Sequence, residues 1–276
     1  MARAPFRPAR VLAWALALGA AACGPLRMGP GAEPVRVLVY NVHAGKDAAR
    51  ADNLARVAEV VRSTGAELVL LQELDRGTER SGRVDQLARL ASLTGMHAAF
   101  GKTLDFQGGE YGVALLSRWP LAADTLLLLD PPEVRADPAF EPRGVLRARV
   151  RRPGTPLYVL DTHLDASAGD AHRRREVAAL LQEAGRLRRG GATVLLGGDF
   201  NATPESEVIA EVLRAGWRDA WAECGRGEGF TFPAGAPQKR IDYLFLPPGT
   251  SCRSAEVVGG EVSDHRGVLF VVVPPR

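Results

Sequence analysis

Residues 193–201 read Thr-Val-Leu-Leu-Gly-Gly-Asp-Phe-Asn, an apolar run that gives way to an acid and an amide. Four to six apolar residues followed by turn-forming glycines fit a short strand. Asp199 and Asn201 are then left at its end. The pattern recurs along the chain. Asn41 follows Val37-Leu38-Val39-Tyr40, and Gln72-Glu73 follows Leu68-Val69-Leu70-Leu71. Asp161-Thr162-His163 follows Leu157-Tyr158-Val159-Leu160. Asp242 sits in Arg240-Ile241-Asp242-Tyr243-Leu244-Phe245, and Ser263-Asp264-His265 precedes the apolar stretch Val268–Val273. One such residue reads as a turn or a cap. Six groups of carboxylates, amides and imidazoles at strand ends read as one rim of a sheet.

Working outward, strands are expected at 35–42, 68–71, 112–117, 145–150, 157–161, 193–196, 241–246 and 268–273. Leu54, Val57, Ala58 and Val61 recur at helical spacing, as do Leu87, Leu90 and Ala91. Further helices are expected over about 169–189 and 205–215. Many strands with few helices between them argue for mixed sheets in an α/β domain, not for a strictly alternating doubly wound fold. The stretches 130–144 and 225–239 are rich in Pro and Gly, and loops of that length tend to shape a binding mouth. His97 and His172 have no motif around them and are read as surface or packing residues.

The rim residues suit the hydrolysis of phosphate esters, which needs a hard cation against the phosphoryl oxygens and an activated water. Magnesium is held by one or two carboxylates and keeps several waters. Glu73 with Asn41 and Asp264 is such a sparse oxygen set. His265 suits proton transfer if a carboxylate such as Asp242 orients it. His163 adds a second imidazole, and Asn201 an uncharged donor. No His/Cys cluster speaks for zinc.

In this order, Asn41-Val42-His43, Leu71-Gln72-Glu73-Leu74, Asp161-Thr162-His163-Leu164, Gly198-Asp199-Phe200-Asn201, Arg240-Ile241-Asp242-Tyr243 and Ser263-Asp264-His265 resemble the endonuclease/exonuclease/phosphatase superfamily. It includes pancreatic-type deoxyribonucleases, abasic-site endonucleases, neutral sphingomyelinases and inositol-polyphosphate 5-phosphatases. The resemblance covers 35–273 and implies a four-layer α/β sandwich, two central mixed β-sheets flanked by helices. It implies Asn41, Glu73 and Asp264 at a Mg2+ site that also accepts Mn2+. Asp199 would position or deprotonate the attacking water, and Asn201 would contact phosphate or metal. His265, oriented by Asp242, and His163 would face the phosphate. Whether Asp199 or His265 is the base stays open.

Tyr40–Gly45, Leu71–Arg76, Gly109–Arg118 and Glu141-Pro142-Arg143-Gly144 further resemble a bacterial subgroup of metal-dependent hydrolases. Tyr111 and Arg143 are then candidate substrate-binding residues, with Arg143 able to grip phosphate bidentately. Their alternatives are a packed edge aromatic and a surface arginine.

The first 23 residues differ from the rest. Arg3, Arg7 and Arg10 precede an apolar run from Val11 to Ala22, followed by Cys23. This describes a signal peptide, too short to span a bilayer with ease. Cys23 after small residues resembles a bacterial lipoprotein processing site, although Ala20 stands where Leu is usual; ordinary cleavage nearby is the alternative. Residues 24–34 read as a flexible linker and 35–276 as the catalytic domain. Of 35 Lys+Arg against 32 Asp+Glu, three Arg fall in residues 1–22, so the remainder is formally neutral. That balance gives no general support for binding nucleic acid. Cys224 and Cys252 remain, either paired or as separate thiols.

The expectation is therefore an extracytoplasmic, membrane-anchored or secreted monomer that hydrolyses phosphate esters. An anchor near lipid head groups puts phospholipid or head-group diesters first. A secreted nuclease or a nucleotide- or sugar-phosphate hydrolase is second, and a non-catalytic binding protein on the same fold is the alternative of another class.

Overall fold

The computed structural model describes residues 1–2, 33–135, 140–153 and 156–275. The expected signal peptide from Arg3 onward, and the linker as far as Ala32, lie outside the described residues. In chain order the elements are β1 (Val35–Asn41), a 3-10 turn (His43–Gly45), α1 (Leu54–Thr64), β2 (Leu68–Arg76), α2 (Gln86–Thr94), β3 (His97–Phe106) and β4 (Gly109–Ser117). Next come β5 (Leu121–Leu128), α3 (Pro132–Arg135), β6 (Gly144–Val150), β7 (Leu157–His163), α4 (Ala171–Arg189) and β8 (Thr193–Asp199). The chain closes with α5 (Glu207–Arg214), β9 (Arg218–Asp219), α6 (Ala220–Cys224), β10 (Asp242–Leu246), β11 (Ser251–Val258) and β12 (Gly267–Val273).

The strands form two six-stranded sheets, ordered β11-β12-β1-β2-β4-β3 and β5-β6-β7-β8-β10-β9. Both are mixed: β1 runs parallel to β2 and β7 parallel to β8, while the other pairs are antiparallel. Alternate residues of β1 serve two cores. Val35, Val37 and Val39 face the second sheet and pack with Leu68, Leu157, Val159, Leu195 and Phe270. Leu38 and Tyr40 point the other way, onto Leu54, Val57, Val61 and Leu90 of α1 and α2. The second sheet likewise turns Leu160, Val194 and Leu196 outward onto Val177, Leu180, Val208 and Ile209 of α4 and α5. With both faces covered, central strands must be apolar at nearly every position, as their sequences are. The expected four-layer α/β sandwich is the observed one. Among the described residues, every member of the three cores lies between Val35 and Val272.

The strands missing from the sequence reading are β3, β5, β9 and β11, and these are the four edge strands. β11, Ser-Cys-Arg-Ser-Ala-Glu-Val-Val, buries none of its residues fully. An edge strand covered on one side only needs little apolar patterning, so it leaves little to read. Cys224 at the end of α6 and Cys252 in β11 form a disulfide, which resolves the question the sequence left open.

Candidate active site

The parallel pairs β1–β2 and β7–β8 end at the same side of the molecule, and their terminal residues converge there. The close approach depends on a glycine. Gly198 pairs with Thr162 and lies at φ 133°, where a Cβ would stand 1.9 Å from the Thr162 carbonyl oxygen. Its neighbour Asp199 thereby comes level with His163 on β7. Four non-glycine residues at this rim, His43, Ala44, Glu73 and Asn201, hold positive φ between 46° and 59°. Such backbone costs of order 1–3 kcal/mol per residue and persists where surrounding structure enforces it. Glu73 owes its conformation to a bulge in β2 between Leu71 and Leu74.

Asn41 joins two carboxylates. Its Nδ2 donates to Glu73 Oε1 at 2.9 Å and to Asp199 Oδ2 at 3.0 Å, while its Oδ1 accepts from the His43 amide at 3.0 Å. The fully buried Asn41 thus fixes Glu73 against Asp199 and spends its own oxygen on the backbone. Asp264 lies across the mouth, with Oδ1 3.8 Å from His43 Nδ1, an atom that is buried without a hydrogen-bond partner.

His265 is held between two acids. Its Nδ1 lies 3.0 Å from Asp242 Oδ2, and its Nε2 3.6 Å from Asp199 Oδ2. Burial pushes against the imidazolium, but Asp242 and Asp199 outweigh it and raise the pKa to about 10. Asp199 moves the other way from an ordinary carboxylate. Burial and the charge of Asp242 raise its pKa to about 7, against the opposing pull of His265 and of hydrogen bonds from the Asn201 and Asn41 nitrogens.

His163 differs from His265. Arg143 Nη1 lies 3.2 Å from its Nδ1, Asn201 Nδ2 3.0 Å from its Nε2, and Asp199 Oδ2 3.6 Å from the same Nε2. Burial first, and then the charges of Arg143 and His265, hold its pKa well below the usual value. It is a neutral imidazole. Arg143 cannot accept a hydrogen bond, so it presents a donor to Nδ1, and the Asn201 amide nitrogen likewise presents a donor to Nε2.

These groups open into a cavity of about 570 Å³ whose lining includes Glu73, Arg143, His163, Asp199, Asp264 and His265. Its other walls are Tyr111, Leu104, Phe106, Phe140 and Phe232. The two Pro/Gly-rich loops do shape this mouth: 130–144 brings Phe140, Glu141 and Arg143, and 225–239 brings Phe232. Phe232 lies 4.8 Å from the His265 ring, and His172 stacks on Phe140 from behind. His97 is exposed, away from the site.

All ten residues singled out from the sequence stand at or next to this cavity; Asn41 and Asp242 lie behind its wall, holding Glu73, Asp199 and His265. Arg143 is buried and already engaged, with Nη1 2.9 Å from Glu141 and its backbone amide donating to Asp130. Sequence reasoning missed Arg80, Phe106, Phe140, Glu141 and Phe232. Arg80 grips buried Asp75 through two nitrogens at 2.7 and 2.8 Å and lies over the rings of Phe106 and Tyr111. Nothing in Gly77–Gly82 marks it beforehand, because its partners come from β2, β3 and β4.

Two places suit a cation. Ligand atoms of Asp199, Asp242 and His265 lie within 4.8 Å of one another, but a protonated His265 already satisfies that trio. Glu73 and Asp264 line the open mouth, with Asp264 beside the orphaned His43 Nδ1. Their oxygen donors fit a hard divalent ion.

Residues 38–265 match the model of the Endonuclease/Exonuclease/phosphatase family. The chain belongs to that family. Members of the family are hydrolases of phosphate esters and generally depend on a metal. The chain is 28% identical over 221 residues to the uncharacterized protein YbhP of Escherichia coli K12, covering 76% of this chain and 84% of YbhP. Its fold matches the family's crystal structure from Beutenbergia cavernae with a TM-score of 0.70, at 22% identity, over 88% of this chain and 72% of that one. It also matches the mannosyl-6-phosphatase Bt3783 of Bacteroides thetaiotaomicron with a TM-score of 0.72, at 19% identity, over 87% and 99% of the two chains. Identities this low show a shared fold.

Proposed function

We propose that this chain is a Mg2+-dependent phosphoesterase, with Mn2+ as substitute, in which Asp199 is the base and His265 the cationic partner of the phosphoryl group. The observation that carries this reading is the pairing of a buried, proton-accepting Asp199 with a His265 held protonated by Asp242. An imidazolium with a pKa of about 10 cannot take a proton from water near neutrality, whereas a carboxylate at about 7 can. His265 then offsets charge on a non-bridging oxygen, and neutral His163 with Arg143 and Asn201 lines the same side of the cavity. Asn41 keeps Glu73 in place, and Glu73 with Asp264 would hold the metal. A divalent ion bound there supplies positive charge against the phosphoryl oxygens.

The cavity supports a compact ester. Its aromatic walls suit a small, partly apolar alcohol group. The N-terminal sequence supports action outside the cytoplasm, as a lipoprotein or secreted enzyme. That sequence alone put lipid head groups first. However, Val35, where the linker enters, and the catalytic residues stand at opposite ends of β1. Seven residues at about 3.3 Å each separate them by roughly 20 Å. This separation favours a soluble ester, such as a nucleotide or sugar phosphate, over a head group of the anchoring membrane.

The test is hydrolysis by residues 24–276 of bis-p-nitrophenyl phosphate, p-nitrophenyl phosphate, nucleotides, choline-headgroup lipid and plasmid DNA, with magnesium or chelator. Metal-dependent turnover of the small soluble esters supports the reading. Turnover of lipid or DNA alone overturns its substrate, and none at all with folded protein overturns the enzyme.

A further inference from the structure

The end of the molecule opposite the catalytic mouth is built from the turns 62–67, 94–96, 118–120, 151–153, 188–192, 214–217 and 247–250. They contain seven arginines and one glutamate. In a chain that is formally neutral from residue 23 onward, this is a strong polarisation. Part of it has a local cause. Arg62, Arg188, Arg189 and Arg214 stand on the last turns of α1, α4 and α5, where a helix dipole favours a cation.

Arg118, Arg151 and Arg152 sit on turns between strands, where no dipole asks for them. They surround Trp119. The Arg118 guanidinium lies 6.0 Å and that of Arg152 5.5 Å from its ring, and the Arg151 amide donates to the Pro120 carbonyl, tying the two turns together. Arg118 is paired with Glu67, Arg62 with Glu59 and Arg214 with Glu207, while Arg151 and Arg152 have no ion-pair partner among the described residues. A half-buried tryptophan flanked by arginines is the side-chain set that rests at a membrane–water interface.

Arg152 Nη2 donates to the Glu33 carbonyl at 3.4 Å, two residues before β1, so the segment carrying Cys23 joins at this same pole. Eleven residues separate Cys23 from Val35 and span at most about 40 Å.

We propose that the pole around Arg118, Trp119, Arg151 and Arg152 docks on an anionic lipid bilayer and points the catalytic mouth away from it. Docking would make the domain a fixed, outward-facing hydrolase, with its aromatic cavity open to solutes of the surrounding compartment. The inference stands whichever ester the site cleaves, because it rests on the opposite end of the molecule.

The experiment is co-sedimentation of residues 24–276, which lack Cys23, with vesicles of phosphatidylcholine alone or with three parts in ten phosphatidylglycerol, at low and high salt. The expected result is retention by the anionic vesicles only, weakened by salt. Arg151→Glu combined with Arg189→Glu, both exposed, is expected to weaken it at least tenfold with unchanged thermal stability. Arg50→Glu, beside the catalytic mouth, is expected to leave it intact. Equal retention by both vesicle types, or loss in Arg50→Glu and not in the double variant, overturns the proposal. Retention by polyuridylate with none by vesicles overturns it in favour of a nucleic acid.

Discussion

His265 Nε2 lies 3.6 Å from Oδ2 of Asp199, and both side chains are buried. One group keeps its proton to about pH 10, and the other gives its proton up near pH 7. Activity is therefore expected to rise with pH through about 7, as Asp199 becomes a carboxylate, and to fall through about 10, as His265 loses its charge. Asp242→Asn removes the acid that holds the His265 proton. The alkaline limb of kcat/KM should move down by about one unit or more. A pH–rate profile checks this, and an unmoved alkaline limb removes His265 from that limb.

Glu73 stands on a bulge with positive φ and is fixed by Asn41. Glu73→Gln keeps the shape and removes the charge. Activity should fall about 10²-fold or more at fixed magnesium, and the rise in Tm that magnesium gives the wild type should shrink. Thermal melts with and without metal separate this from a folding defect.

Arg143 meets Glu141 and His163 at once. Arg143→Lys keeps a charge but not the planar fork, so His163 loses its fixed donor. A loss of at least tenfold in kcat/KM is expected, with the fold retained by circular dichroism.

Glu176 is fully buried on α4, and its Oε1 has no partner. Burial raises its pKa to about 8. The folded state then binds a proton that the unfolded chain releases near 4.5, so stability is expected to fall as pH rises from about 4.5 to 8. Glu176→Gln should flatten that decline, which melts at several pH values would reveal.

The disulfide closes a sequence separation of 28 residues. Loop entropy assigns such a link about 3–4 kcal/mol. Cys224→Ser should lower Tm accordingly, and it should also loosen the loop that brings Phe232 to His265. Reducing agent should reproduce the change in the wild type and leave the variant unaffected.

The reach of the sequence has a physical pattern. Central strands were legible because both faces are buried, so β1, β2, β7 and β8 announce themselves as apolar runs. Their last residues were legible because a carboxylate or imidazole after such a run has few structural uses. Edge strands were not, because one open side relaxes the demand for apolar residues. Phe106 escaped because it stands on β3, itself an edge strand, and Arg80 because its partners come from three different strands. The engaged state of Arg143 escaped for a related reason: Glu141, Asp130 and His163 reach it from separate parts of the chain.

The most direct measurement is metal-dependent turnover of bis-p-nitrophenyl phosphate and p-nitrophenyl phosphate by the wild type beside Asp199→Asn, with thermal melts of both. Asn keeps the size of the side chain and removes its ability to take a proton. The expected result is turnover by the wild type with magnesium, none with chelator, and a loss of about 10²–10⁴-fold in a folded variant. A folded Asp199→Asn protein with full activity would contradict Asp199 as the base.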